Sequence, residues 1–158
     1  MDLNYCSRLT DINSLSTLTN LRTLHLSGCK SLTTITLSTL TNLQSLDLSY
    51  CYKLRDISFL SKLTNLQSLN LKNVGCCYLE DISFLSKLTN LQSLDLSGWR
   101  YLEDISPLST LNNLRTLKLE ECDYLDTSAV IELQKQLPKC KITPYLYLLR
   151  LLEKDFKN

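Results

Sequence analysis

The apolar positions of this chain recur on a fixed schedule. The pattern Leu-x-x-Leu-x-Leu begins at Leu21, Leu43, Leu66, Leu91 and Leu114, and a degenerate copy, LPKCKI, begins at Leu137. The intervals are 22, 23, 25, 23 and 23 residues, and Leu3 lies 23 residues before Leu26, so the chain opens inside a further copy. After each copy the same apolar types return in order. A Leu column (Leu9, Leu32, Leu54, Leu79, Leu102, Leu125) is followed by an Ile column (Ile12, Ile35, Ile57, Ile82, Ile105) and by a closing pair of leucines such as Leu60 and Leu63. One unit of this size cannot bury so many apolar side chains. Units stacked in register bury them as continuous columns.

The alternation Leu46-Asp47-Leu48 predicts a short strand with one face inward. A strand every 22 to 25 residues, with no hairpin signal between, predicts a parallel sheet. The segment ISFLSKL is too short for an amphipathic helix and predicts one 3-10 turn, with Ser58, Ser83 and Ser106 as its N-caps. Thr-Asn before each strand (Asn20, Asn42, Asn65, Asn90) supplies a turn back into the sheet. Two units depart from the schedule: the second is one residue short at Ile35-Thr36-Leu37, and the fourth carries two extra residues in NVGCCYLEDI.

The stretches LTNLQSLDLSYCYKLRDISFLSKLTNL at 40–66 and DISPLSTLNNL at 104–114 resemble the leucine-rich repeat family, in its internalin-like, short-repeat bacterial form. The resemblance implies an α/β solenoid: a curved parallel sheet of about seven short strands on the concave face and short 3-10 or helical turns on the convex face. Residues 1–142 form that solenoid. Its last unit holds a longer helix at 128–136, capped by Thr127 or Ser128, and a strand at 139–142 that contains Cys140. Residues 143–158 open with Thr-Pro and carry a broad apolar face (Tyr145, Leu148, Leu149, Leu152, Phe156), which predicts a C-terminal amphipathic helix acting as cap or docking element. The N-terminal end, opening inside a unit, is expected to contact a second copy or to continue a longer array.

Composition narrows the function classes. The 158 residues suit one domain. A formal net charge of +1 gives no bulk electrostatic footprint for nucleic acid or an anionic membrane. No apolar run is long enough to span a bilayer, and MDLNYCSR has no leader-like apolar region. Seven cysteines, an odd number without such a leader, predict reduced thiols and a cytoplasmic location, or export by a route that needs no leader.

Four cysteines (Cys6, Cys29, Cys51 and Cys122) share one place in successive units, with Cys76 or Val74 there in the fourth and Trp99 in the fifth. Related repeats often place Asn at this slot, where it bonds the loop leaving the strand. A small, readily buried thiol with a weak S–H donor fills the same space. A column of thiols along strands about 4.8 Å apart does not converge on a metal ion. The column is therefore structural, with no metal and no cofactor expected.

Candidate binding residues are those that vary between units. On the sheet face the row is His25, Asp47, Asn70, Asp95 and Lys118, preceded by Asp2. A further row, Asn4, Ser27, Ser49, Lys72, Ser97 and Glu120, is expected to face the same way. His25, the only histidine, stands between Asp2 and Asp47 and is expected to form a charge pair; no nucleophile is pinned beside it. Along the loop edge, Tyr78, Tyr101 and Tyr124 fall in one line, with Tyr50, Tyr52, Trp99 and Arg100 in the same loops. These are the residue types that dominate interface energies. The reading is a non-catalytic protein-interaction module that binds through the sheet face and the aromatic edge. The alternative is an architectural or self-associating piece of a larger assembly.

Overall fold

Six three-residue strands lie side by side in chain order and all parallel: β1 (Thr23–His25), β2 (Ser45–Asp47), β3 (Ser68–Asn70), β4 (Ser93–Asp95), β5 (Thr116–Lys118) and β6 (Lys141–Thr143). This computed structural model describes residues 1–75 and 81–143. Cys76, Cys77, Tyr78 and Leu79, and the helix expected over 143–158 apart from Thr143, lie outside the described residues. The seventh strand position is occupied by a single bridge, Asp2 to His25. Backbone bonds from Leu3 N to the His25 carbonyl (2.8 Å) and from Tyr5 N to that of Ser27 (2.7 Å) extend it.

Register follows the leucine pattern. Leu24, Leu46, Leu69, Leu94 and Leu117 stand opposite one another and are all buried. A one-residue slip would turn this whole column to the other face, so the pattern fixes the pairing. The last strand departs from expectation. Ile142 pairs with Leu117, and Cys140 precedes β6 instead of lying in it. Helix α1 (Thr127–Gln136) replaces the short turn of the other units and pushes the final strand later than the Leu137 copy predicts. Cys140 is buried nonetheless, and its N–H donates to the Leu137 carbonyl at 3.0 Å.

On the opposite side, 3-10 helices cover Asn13–Thr17, Ser58–Lys62, Ser83–Lys87 and Ser106–Thr110. The serines expected as caps do not cap them: Ile57, Ile82 and Ile105 stand at the cap positions, with an aspartate just before each. The carboxylates of Asp56, Asp81 and Asp104 accept from the backbone N–H of Ser58, Ser83 and Ser106 at 2.7–2.9 Å. Asp126 does the same for Ser128 and caps α1. Later in the turn, Ser61 and Ser86 donate their hydroxyls to the carbonyls of Ser58 and Ser83. The second unit has no 3-10 helix. Where other units place three residues' separation between Ile57 and Leu60, bonded Leu60 N to Ile57 O at 3.0 Å, this unit has only Ile35-Thr36-Leu37. An extended path is then the one that turns both apolar side chains inward, and both are buried. The core is one continuous cluster running from Ile12 to Cys140.

Candidate functional site

The loops leaving the strands are built on a ladder of carbonyls. In the first five units the column residue's own N–H donates to the last strand leucine of its unit, as Cys51 does to Leu48 at 3.2 Å. Its side chain reaches back one unit further. The thiols of Cys29, Cys51 and Cys122 donate to the carbonyls of Leu3, Leu26 and Leu96 at 3.2, 3.2 and 3.4 Å. Trp99 makes the same contact with its indole Nε1, 2.9 Å from the Leu71 carbonyl. Val74 takes the slot in the fourth unit, with its N–H on Leu71 O at 3.2 Å. The insertion therefore follows Val74. Burial pushes the Cys51 and Cys122 thiols up to about 12 and raises those of Cys29 and Cys140. Cys6, in the first unit, is exposed. Among the described residues no three of His, Cys, Asp or Glu converge as metal ligands.

Trp99 is thus a core residue, 2% exposed, and is corrected out of the partner-binding set. The ring fills the volume that a cysteine leaves in the other units, and its one polar atom finds the ladder carbonyl, so burial costs no hydrogen bond. Of the other loop-edge candidates, Tyr101 and Tyr124 stack at 5.2 Å between ring centroids with an interplanar angle of 27°. Beside them Arg100 approaches Asp123 at 3.7 Å. Tyr50 and Tyr52 meet edge to face at 6.1 Å. The two pairs sit in non-adjacent units; Tyr78, expected in line with Tyr101, lies outside the described residues.

On the sheet face, His25, Asp47, Asn70, Asp95 and Lys118 fall in one row as expected. Their acidic and amide members are occupied. Asp47, Asn70 and Asp95 each turn a side-chain oxygen to the N–H two residues on, at 2.8–3.0 Å, which fixes the exit from the strand. Asp95 also meets Lys118 at 3.6 Å. His25 has no such acceptor, and the N–H of Ser27 turns to Asn4 of the preceding unit instead, at 2.8 Å. The expected Asp2–His25–Asp47 charge pairing does not form among the described residues: the ion pairs there involve Arg100, Lys118 and Lys135, while Asp2 and Asp47 accept from Asn4 and Ser49. Ser49 and Ser97, expected on the open face, are buried.

A second ladder, formed by asparagines expected only to supply a turn, lies on the edge where the chain enters the strands. The amide nitrogens of Asn42, Asn65, Asn90 and Asn113 donate to the carbonyls of Thr19, Thr41, Thr64 and Thr89, one unit back, at 2.8–3.0 Å. The signal was the recurrence of Thr-Asn or Asn-Asn at one place in the unit. This ladder borders a groove of about 470 Å³, lined by Arg22, Gln44 and Gln67 with the asparagines.

Parallel one-turn units, stacked leucine columns and side-chain ladders on both edges define a leucine-rich repeat solenoid, and the chain is similar to bacterial leucine-rich repeat proteins. A family model described as Zer-1-like leucine-rich repeats matches residues 34–98. Among solved structures, an internalin (inlF) from Listeria monocytogenes superposes with a TM-score of 0.61 at 28% identity, over 88% of this chain and 48% of that one. The leucine-rich repeat domain of the type III effector XopL gives 0.62 at 25% identity, over 87% of this chain and 57% of that one. The functional domain of InlJ from Listeria monocytogenes, described as including a cysteine ladder, shares the fold: TM-score 0.55, 21% identity, 87% of this chain and 32% of that one. The chain thus spans about half the length of these first two structures. No curated protein matches the sequence.

Proposed function

We propose that the chain is a protein-binding module without catalytic activity of its own, and that it holds its partner through the aromatic loop edge and the adjoining sheet face. The stacked pair Tyr101–Tyr124 carries this reading, since the rings are 45% and 61% exposed. Prestacked aromatic rings offer large contact area at low entropic cost, which is what interface anchors require. The thiol content fits a reducing compartment, in line with a cytoplasmic site of action. The test is capture on immobilised protein, with bound species identified by mass spectrometry, for the unmodified chain and for Tyr101→Ala/Tyr124→Ala. Loss of the captured species with an unchanged circular-dichroism spectrum is expected. Equal capture by both removes the aromatic edge from the interface.

A second reading, self-association through the first unit, has its own observation. Leu18 is 39% exposed and Leu3, Leu9, Leu15 and Leu21 are only partly buried, whereas their described counterparts in the second to fifth units are buried. A concentration-dependent dimer in sedimentation velocity, abolished by Leu18→Glu, supports this reading; a monomer at all concentrations removes it.

A further inference from the structure

We infer that the strand-entry edge is a second interaction surface, built for an extended acidic peptide segment. The inference deepens the protein-binding reading but uses a different face from the aromatic edge. Its core is one row of residues, Arg22, Gln44, Gln67, Gln92 and Arg115, from five successive units. The row is tied together by the backbone: the N–H of Gln44, Gln67, Gln92 and Arg115 each donates to the carbonyl of the preceding member at 2.7–2.8 Å. The backbone groups are thereby spent within the fold, and the side chains are left to solvent. Gln44 is half-buried; the other four are exposed. Among the described residues, neither guanidinium has an ion-pair partner, and no side-chain hydrogen bond holds the three glutamine amides. Among the described residues two unpaired cations thus bracket three unpaired amides along this edge, and Arg22, Gln44 and Gln67 line the groove.

The surrounding field has one sign. The stretches 16–23, 38–45, 61–68, 86–93 and 109–116, which lead from the turns on the opposite side into the strands, contain none of the chain's 16 acidic residues, while they carry Arg22, Lys62, Lys87 and Arg115. Lys139 and Lys141 continue the edge in the last unit. The near-zero net charge conceals this segregation, because the carboxylates concentrate on the strand-exit side and in the segments that lead into the turns. A cleft of one sign raises the local concentration of an oppositely charged partner and speeds its encounter.

Geometry selects the class of partner. Four inter-strand steps of roughly 4.8 Å separate Arg22 from Arg115 by roughly 19 Å, the reach of about six residues of extended chain at about 3.3 Å each. Carboxylates at both ends of such a segment meet guanidiniums, which bind them with directed, charge-assisted bonds. The glutamines, each both donor and acceptor, match the peptide groups between. Nucleic acid fits poorly: the row has no aromatic ring on which a base could stack, and its cations are too sparse for successive phosphates.

The probe is a fluorescein-labelled peptide of about eight residues, Glu-Glu-Gly-Ser-Gly-Ser-Glu-Glu, followed by anisotropy at low and high salt. Binding that weakens with salt, falls about tenfold in Arg22→Ala/Arg115→Ala and disappears when the peptide's Glu are replaced by Gln is expected. Both arginines are exposed and unpaired, so this variant keeps the fold, checked by its melting curve. Tyr101→Ala/Tyr124→Ala is expected to bind the peptide as the unmodified chain does. No binding, equal binding by the arginine variant, or tighter binding of an oligothymidylate overturns the inference. Failure here alongside tyrosine-dependent capture leaves the protein-binding reading standing by itself.

Discussion

The indole Nε1 of Trp99 donates to the carbonyl oxygen of Leu71, 2.9 Å away and one unit earlier in the stack. That bond places the largest side chain of the core in a slot used by thiols elsewhere, and it joins the fifth unit to the fourth immediately after the insertion. Trp99→Phe keeps most of the volume and deletes the donor. The expected cost is about 1 kcal/mol, read from urea unfolding; Trp99→Ala adds a cavity and is expected to cost about 3–5 kcal/mol. Equal stability of Trp99→Phe and the unmodified chain would show that the hydrogen bond contributes nothing.

Thiol chemistry is expected to divide the cysteine column. Cys6 is exposed, whereas burial disfavours the thiolate at Cys29, Cys51, Cys122 and Cys140. With Ellman's reagent at pH 8, Cys6→Ser removes a fast phase, and these four thiols react only as fast as the protein opens. Fast labelling of Cys51 in the folded state, located by peptide mapping, would contradict the ladder.

Each exit loop passes through a left-handed backbone position: Tyr5, Gly28, Tyr50, Asn73, Gly98 and Glu121, with φ between 50° and 84°. Only two are glycines. At Gly98 a Cβ would collide with the Asn73 side chain of the preceding unit, so Gly98→Ala is expected to lower stability by at least about 1–2 kcal/mol. Glu121→Gly at the same slot relieves a left-handed penalty of about 1–2 kcal/mol against an entropic loss of about 0.5–1 kcal/mol. A small rise in melting temperature is expected, and a fall would show that Glu121 makes a compensating contact.

Stability should decline at both ends of the pH range. Hydrogen bonds from the backbone N–H and then the hydroxyl of the serine two residues on hold the carboxyls of Asp56, Asp81 and Asp126 below the ordinary value. Their contribution is complete above the unfolded carboxyl value of about 4 and is lost as pH falls through the lower folded values. The buried thiols act oppositely. Their folded values are raised, so their contribution is complete below about 8.5, the unfolded thiol value, and is lost as pH rises toward 12 for Cys51 and Cys122. Denaturation midpoints between pH 2 and 11 test this; Cys51→Ala should flatten the alkaline limb, and an unchanged limb would assign it to other groups.

The leucine columns were legible because burial imposes one residue type per place, and a repeat exposes that constraint many times over. Leu46 and Asp47 could be assigned opposite faces from a single alternation. Trp99 could not be oriented, because an aromatic ring in a thiol slot fits either by widening the loop or by turning out, and the Leu71 carbonyl that decides it lies 28 residues away. The serine caps expected from the sequence do not form, for a related reason. Asp56 and Ser58 are both good capping types, and which one accepts the N–H depends on the path of the chain between them. His25 was expected to pair with flanking carboxylates, but those oxygens were already committed to local backbone N–H groups.

By itself the sequence determined the unit, its strand, the inward columns and the parallel stacking, since periodic burial admits one arrangement of such units. The tertiary structure alone decided which polar side chains are spent inside the fold and which remain available. Asp47, Asn70 and Asp95 turn back to their own loops and Asn42, Asn65 and Asn90 to the preceding unit, while Arg22, the glutamine row and Arg115 stay unpaired among the described residues. Hydrogen-bond partners one unit away sit a few ångströms distant in space and more than twenty residues distant in sequence, so only the stacked chain brings donor and acceptor together.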